Sequence, residues 1–276
     1  MKSIRCVLFG SMLILVTITS HAWAEGLPNI LGIQLGMPVR EAYAKLQAEL
    51  PKDKPVVQSV NLPTIEKPVI AWLWSAPQDA VAMGVETDQV RVDVTLPPNK
   101  QAVREVDRTH FFPDKGIVKT TLLTSLREKY GKETMSNVQR GKPAKDDNEG
   151  VELFWLFDEQ GRPAVPPTNV PGSVSLLLSG CTGLAVSDSR GFVENGRSQH
   201  MSSQMEWCYS SYTGVYAMVS QSSFASELYG SMKMVMASFP FAVQAGEVTK
   251  KWKEDIAEGA HKRDLENAKQ QEKPKL

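Results

Sequence analysis

The stretch Gln89 to Leu96 constrains the fold most: Val90, Val92 and Val94 alternate with Arg91, Asp93 and Thr95. Side chains of a strand point alternately to opposite faces, so this pattern calls for a sheet with one face on a core and one face wet. That one-sidedness is the habit of antiparallel sheets. Further β-type runs are expected at Pro68 to Ser75, with Val69-Ile70-Ala71-Trp72-Leu73-Trp74, and at Val81 to Glu86. Ala102 to Phe112 extends the same sheet with Val103, Val106 and the Phe111-Phe112 pair. Later strands are expected at Val151 to Phe157, Ser173 to Leu178, Gly183 to Ser187 and within Trp207 to Ser220. In Glu227 to Phe239, Met232, Met234 and Met236 alternate with Lys233, Val235 and Ala237, which favours a strand; a helix ending before Pro240 is the alternative.

Three segments have helical spacing instead. Val39, Ala42, Tyr43, Leu46 and Leu50 place one apolar face on a helix over 38–50, opened by Pro38 and closed by Pro51. Leu122, Leu123, Leu126 and Tyr130 do the same over 117–130, and Gly131 suits a left-handed cap. From Phe241 to Lys269, Ala245, Val248, Trp252 and Ile256 recur at helical spacing, while the distal half is charged with little apolar face. The Pro-containing stretch after the first helix, the charged stretch 131–150 and the Pro-rich stretch 161–172 read as connections. Helix, strands, helix, strands, helix is an α+β layout of helices packed on antiparallel sheet. It divides into a helix-plus-sheet unit at 25–115, a second at 116–240, and a C-terminal helix and tail at 241–276.

Residues 1–24 have the three parts of a secretory signal: basic Lys2 and Arg5, an apolar Val7 to Ile18, and Ala22-Trp23-Ala24. Small residues at the first and third positions before the cut place cleavage between Ala24 and Glu25. The apolar run is short for a bilayer span, so no stable membrane insertion and a periplasmic or secreted location are expected. Cys6 leaves with the signal, and the oxidising compartment implies a disulfide between Cys181 and Cys208. By the chain-entropy estimate that bridge stabilises by roughly 3–4 kcal/mol. Lys and Arg number 31 and Asp and Glu 31, so no general polyanion-binding field exists and nucleic acid is not an expected partner.

Two short stretches resemble known proteins. Leu31-Gly32-Ile33-Gln34-Leu35-Gly36-Met37-Pro38, with Glu41-Ala42 and Leu46, and then Leu126-Arg127-Glu128-Lys129-Tyr130-Gly131, resemble uncharacterised proteobacterial periplasmic proteins. In those proteins a G-x-x-x-G-M turn starts one helix and an L-x-x-K-Y-G ends another. The first stretch is also similar to the helix-opening turn of BamE-type outer-membrane assembly lipoproteins and of β-lactamase-inhibitor-type repeats. The resemblance implies helices packed on antiparallel sheet and a tendency to bind other proteins, and it transfers no site residue. BamE-type proteins are short lipoproteins, whereas this chain is longer and has no lipidation site; Leu178-Ser179-Gly180-Cys181 lies deep in the chain.

Catalytic patterns are absent from the sequence. There is no Gly-x-Ser-x-Gly elbow, no phosphate-cradling Gly-rich loop, and no Cys-x-x-Cys. His110, His200 and His261 have no second His or Cys at metal-ligand spacing, so neither a metal nor a cofactor is expected. Asp146, Asp147 and Glu149 lack the spacing of a calcium loop and read as a solvated run. The serines of 202–223 read as exposed hydroxyls. The Trp72, Trp74 pair and the Phe154, Trp155, Phe157 group read as core aromatics.

Three functional readings follow, in this order. The first is a soluble accessory module without catalysis that binds an envelope protein, with Trp252 and Ile256 as contact residues if Trp252 is exposed. A buried Trp252 would instead make the last helix a strap. The second is an envelope hydrolase built where His110 or His200 meets a carboxylate or Ser. The third is a carrier with an apolar cavity under the Met and aromatic strands.

Overall fold

The computed structural model describes residues 26–51, 54–62, 65, 67–75, 87–113, 115–136, 150–164 and 212–270. The signal segment with Ala24 and Glu25, both Cys181 and Cys208, His200, the 146–149 carboxylates and the strands expected at 81–86, 173–178 and 183–187 lie outside those residues.

The first helix, α1 (Val39–Glu49), is entered through the turn Leu35-Gly36-Met37-Pro38. Gly36 sits at φ +80°, which only glycine adopts cheaply. Its N–H donates to Val103 O at 2.7 Å, and Val103 N–H returns a bond to Met37 O at 2.8 Å. The turn is thus fastened to a strand that begins more than sixty residues later, which aims Val39, Ala42 and Leu46 at the sheet. The second helix, α2 (Lys119–Tyr130), ends on Gly131 at φ +79°, whose N–H caps Arg127 O. It starts two residues later than its spacing suggests, because Ile117 and Val118 form a short strand.

Nine strands are described: β1 (Val56–Val60), β2 (Val69–Ser75), β3 (Thr87–Val94), β4 (Val103–Phe111), β5 (Ile117–Val118), β6 (Met135–Ser136), β7 (Val151–Phe157), β8 (Thr213–Gln221) and β9 (Leu228–Ser238). They form one antiparallel sheet in the order β1-β2-β3-β4-β9-β8-β7-β6, with β5 also on β9. Each of α1 and α2 therefore leads into a four-strand meander, and β4 against β9 is the seam. The ambiguous segment before Pro240 is strand up to Ser238. A 32-residue helix, α3 (Phe239–Gln270), then begins at once. Pro240 falls in its first turn, where a missing N–H breaks no helical bond. Besides β5, which falls at the head of the expected second helix, two strands depart from expectation: β1 lies in a stretch read as connection, and β6 near the head of another.

Register decides which side chains share a face. Val92 faces Leu73 and Val106, Met236 faces Val106 and Val215, and Trp155 faces Val215. This row packs under Ala42 and Leu46 of α1 and Leu122, Leu126 and Tyr130 of α2 in a single core. The opposite face carries α3, whose Trp252 joins Leu62, Ala71, Leu96 and Trp72 in a smaller cluster. The architecture is α+β, with helices on both faces of the sheet. Among the described residues no helix is long and apolar enough to cross a membrane.

Candidate functional site

Two charged clusters share strands β3 and β4 but lie on opposite faces. The first arises from a bulge. Asp93 pairs with Glu105 while Val94 pairs with Val103, so Arg104 is an extra residue on β4. A bulge re-aims one side chain; here it lets Val103 and Val106 both enter the core while Arg104 and Glu105 avoid it. Arg91 grips Asp93 through Nε and Nη2 at 2.7 Å each, and Arg104 Nη2 lies 3.8 Å from the same carboxylate. Lys233 Nζ reaches Asp107 at 3.0 Å, and the Arg91 guanidinium stacks 4.7 Å above the Trp72 ring.

Burial sets the electrostatics of this cluster. Glu105 is 4% exposed, and burial, reinforced by the negative charge of Asp93, pushes its carboxyl up to about 8 against the opposing pull of Arg104. Asp107 is raised for the same first reason, although Lys233 opposes the rise. Burial thus favours the protonated form of Glu105. Beyond this cluster, toward the β3–β4 turn, α3 is tied down: Asn99 Nδ2 donates to Ala245 O at 3.1 Å, and the Thr249 hydroxyl bonds Leu96 O at 3.3 Å.

The second cluster lies on the core side. Asp88 pairs across to His110, and Arg108 is two residues along on the same face. Arg108 binds Asp88 in a fork, at 2.6 and 2.9 Å, and His110 Nδ1 lies 3.1 Å from Asp88 Oδ2. The Phe112 ring meets His110 edge-on at 4.8 Å. Burial alone would raise Asp88, but the hydrogen bonds and positive charge of His110 and Arg108 outweigh it and hold the carboxyl down at about 2.

His110 therefore meets a carboxylate, the condition attached to the hydrolase reading. The carboxylate is, however, committed to the Arg108 fork, and His110 is 6% exposed. Among the described residues, surface clefts lie elsewhere. One of about 300 Å³ is lined by Leu27, Leu35, Glu159, Tyr212, Phe241 and Gln244, and one of about 660 Å³ by the Ser-rich turn between β8 and β9. Met232, Met234 and Met236 are packed in the core, not along either cleft. Among the described residues no group of His, Cys, Asp and Glu is placed to hold a metal ion.

Trp252 is half-buried against the sheet, so the first half of α3 is a strap. Ile256 is half-buried as well, and every residue from His261 to Lys269 is exposed. The aromatic groups divide by strand alternation. Trp155 and Phe157 enter the main core, whereas Phe154 packs with Leu156 and Tyr216 on the other side. Trp72 is covered, but Trp74, between Val56 of the edge strand and Arg91 of β3, is 37% exposed, a departure from the core reading.

The sequence pointed to His110 as a residue that could meet a carboxylate but did not single out Asp88 or Arg108, and it passed over the first cluster altogether. One signal for the first was present: Val103 and Val106 are three apart in a strand whose period is two, which is the mark of an inserted residue. The second had no local signal, since Asp88 and His110 meet only through register. No protein-family model, no curated protein and no solved structure matches this chain.

Proposed function

We propose that the chain is an exported, non-catalytic interaction module that binds a protein of the cell envelope through the far half of α3. The observation that carries this reading is the exposure of the whole stretch His261 to Lys269 in a continuous helix. A helical arm without tertiary contacts gains no burial, and short unsupported helices are marginal in water. Its support comes from within, through pairs such as Lys262 with Glu258 at 2.7 Å, each worth a few tenths of a kcal/mol at best. A partner surface supplies the missing burial. The secretory-type start of the chain supports an envelope location for that partner.

The test is photo-crosslinking in intact cells with a photoreactive residue at Leu265, which is 48% exposed on the arm, beside one at Thr120 on α2. A discrete adduct to one envelope protein from position 265 alone is the expected result. Adducts of equal yield from both positions, or none from 265, would overturn it. A chain ending at Ala260 keeps the Trp252 strap and should stay folded while losing the partner.

A further inference from the structure

The two edges of the sheet are finished differently. At the β7 edge, β6 pairs with Leu153 and Phe154, and the chain after β7 folds back so that Ala164 N–H donates to Leu156 O. At the other edge β1 bonds to β2, and among the described residues no segment pairs with its outer side. Val56 is 48% and Val57 44% exposed, and Trp74, directly across from Val56, is 37% exposed. Proteins commonly blunt such an edge with a lysine, a proline or an inward charge. The strand Val56-Val57-Gln58-Ser59-Val60 has none of these within it. The bulge in this pair falls on β2, where Ala71 is the extra residue, so β1 runs unbroken.

We propose that the β1 edge is a two-fold contact between two copies of this chain, β1 against β1 in antiparallel register centred on Gln58. An outward row of N–H and C=O groups is completed by another strand, and this strand is complementary to itself. In that register Val56 faces Val60, Val57 faces Ser59 and Gln58 faces its own copy. The apolar row of Trp74 and Val56 continues into Val60 and Val69 of the second copy, since Val60 pairs with Val69 on β2. The nearest charge before the strand, Lys54, falls opposite Leu62 of the second copy and not opposite itself. A strongly acidic or basic peptide finds no counter-charge on β1, which is why a second copy is the better occupant.

Five paired residues bury less than the roughly 1,200–2,000 Å² of a standard interface, so the dimer is weak, half-formed at about 10–100 µM. Sedimentation equilibrium of the chain from Glu25 onward, over a concentration series spanning that range, should show a monomer–dimer equilibrium. Gln58→Lys and Gln58→Glu each put like charges face to face and should weaken dimerisation at least tenfold. Their equimolar mixture should restore it as a heterodimer. Circular dichroism and thermal unfolding of each variant separate loss of contact from loss of fold, and Gln58 is exposed, so both should remain folded. A wild-type chain that stays monomeric throughout the series, or variants that dimerise as well as wild type, would overturn the proposal. Neither result bears on the crosslink at Leu265.

Discussion

Asp88 and Glu105 are both largely buried, on neighbouring strands of one sheet, yet one carboxyl is driven down to about 2 and the other up to about 8. The difference is what points at them. Asp88 receives the Arg108 fork and His110 Nδ1 within 3.1 Å. Glu105 has Asp93 directly opposite and Asp107 two residues along, and Arg104, the cation beside it, is turned toward Asp93. Burial acts in the same direction on both; donors aimed at the charge decide the sign.

The most drastic way to break this comparison is Asp88→Ala, which leaves the half-buried Arg108 charge without its partner. Chemical denaturation should show a loss of about 2–3 kcal/mol, below the full cost of stranding a buried charge because water reaches part of Arg108. The Asp88 contribution is pH-dependent, because a carboxyl depressed in the fold stabilises above its unfolded value near 3.8. That stability is lost as pH falls toward 2, so the variant lacks the Asp88 share of the wild type's acid destabilisation, and the difference between the two narrows toward pH 2.

Glu105→Gln should act the other way. A carboxyl raised in the fold binds a proton that the unfolded chain has released, so wild-type stability declines from about pH 4.5 up to about 8. The glutamine removes this penalty and should gain on the order of 1–3 kcal/mol at pH 7, with no difference below pH 4. A variant that is less stable than wild type at pH 7 would mean that Glu105 is ionised in the fold.

The smallest change sharpens the contrast. Lys233 and Asp107 pair at 3.0 Å with side chains 37% and 21% exposed. Lys233→Met should alter stability by no more than about 1 kcal/mol, because water already screens the pair. Its visible effect should be a further rise in the Asp107 titration, read by carboxyl carbon NMR.

Much of this fold was legible in short stretches of sequence. The Val90, Val92, Val94 alternation located β3, the spacing of Val39, Ala42 and Leu46 located α1, and Gly131 marked the end of α2. β1 was missed because Val56-Val57-Gln58-Ser59-Val60 has no alternation, which an edge strand exposed on both faces does not need. The strap role of Trp252 was open in sequence, since helical spacing shows that a face exists and not what meets it. The charged clusters were hidden for a different reason. Asp88 lies more than twenty residues from His110, and Arg104 reaches Asp93 only through a single-residue bulge.

The sequence by itself therefore determined most of the described elements, β1, β5 and β6 apart, because alternation, helical spacing and turn glycines act over a few bonds. Only the tertiary structure decided which charges meet, which edge is left unpaired among the described residues and which half of α3 is held. Side chains in a sheet repeat every two residues, so a shift of one position in register sends each of them to the other face. That choice is made by the sum of contacts between strands far apart in the chain, and no short segment carries it.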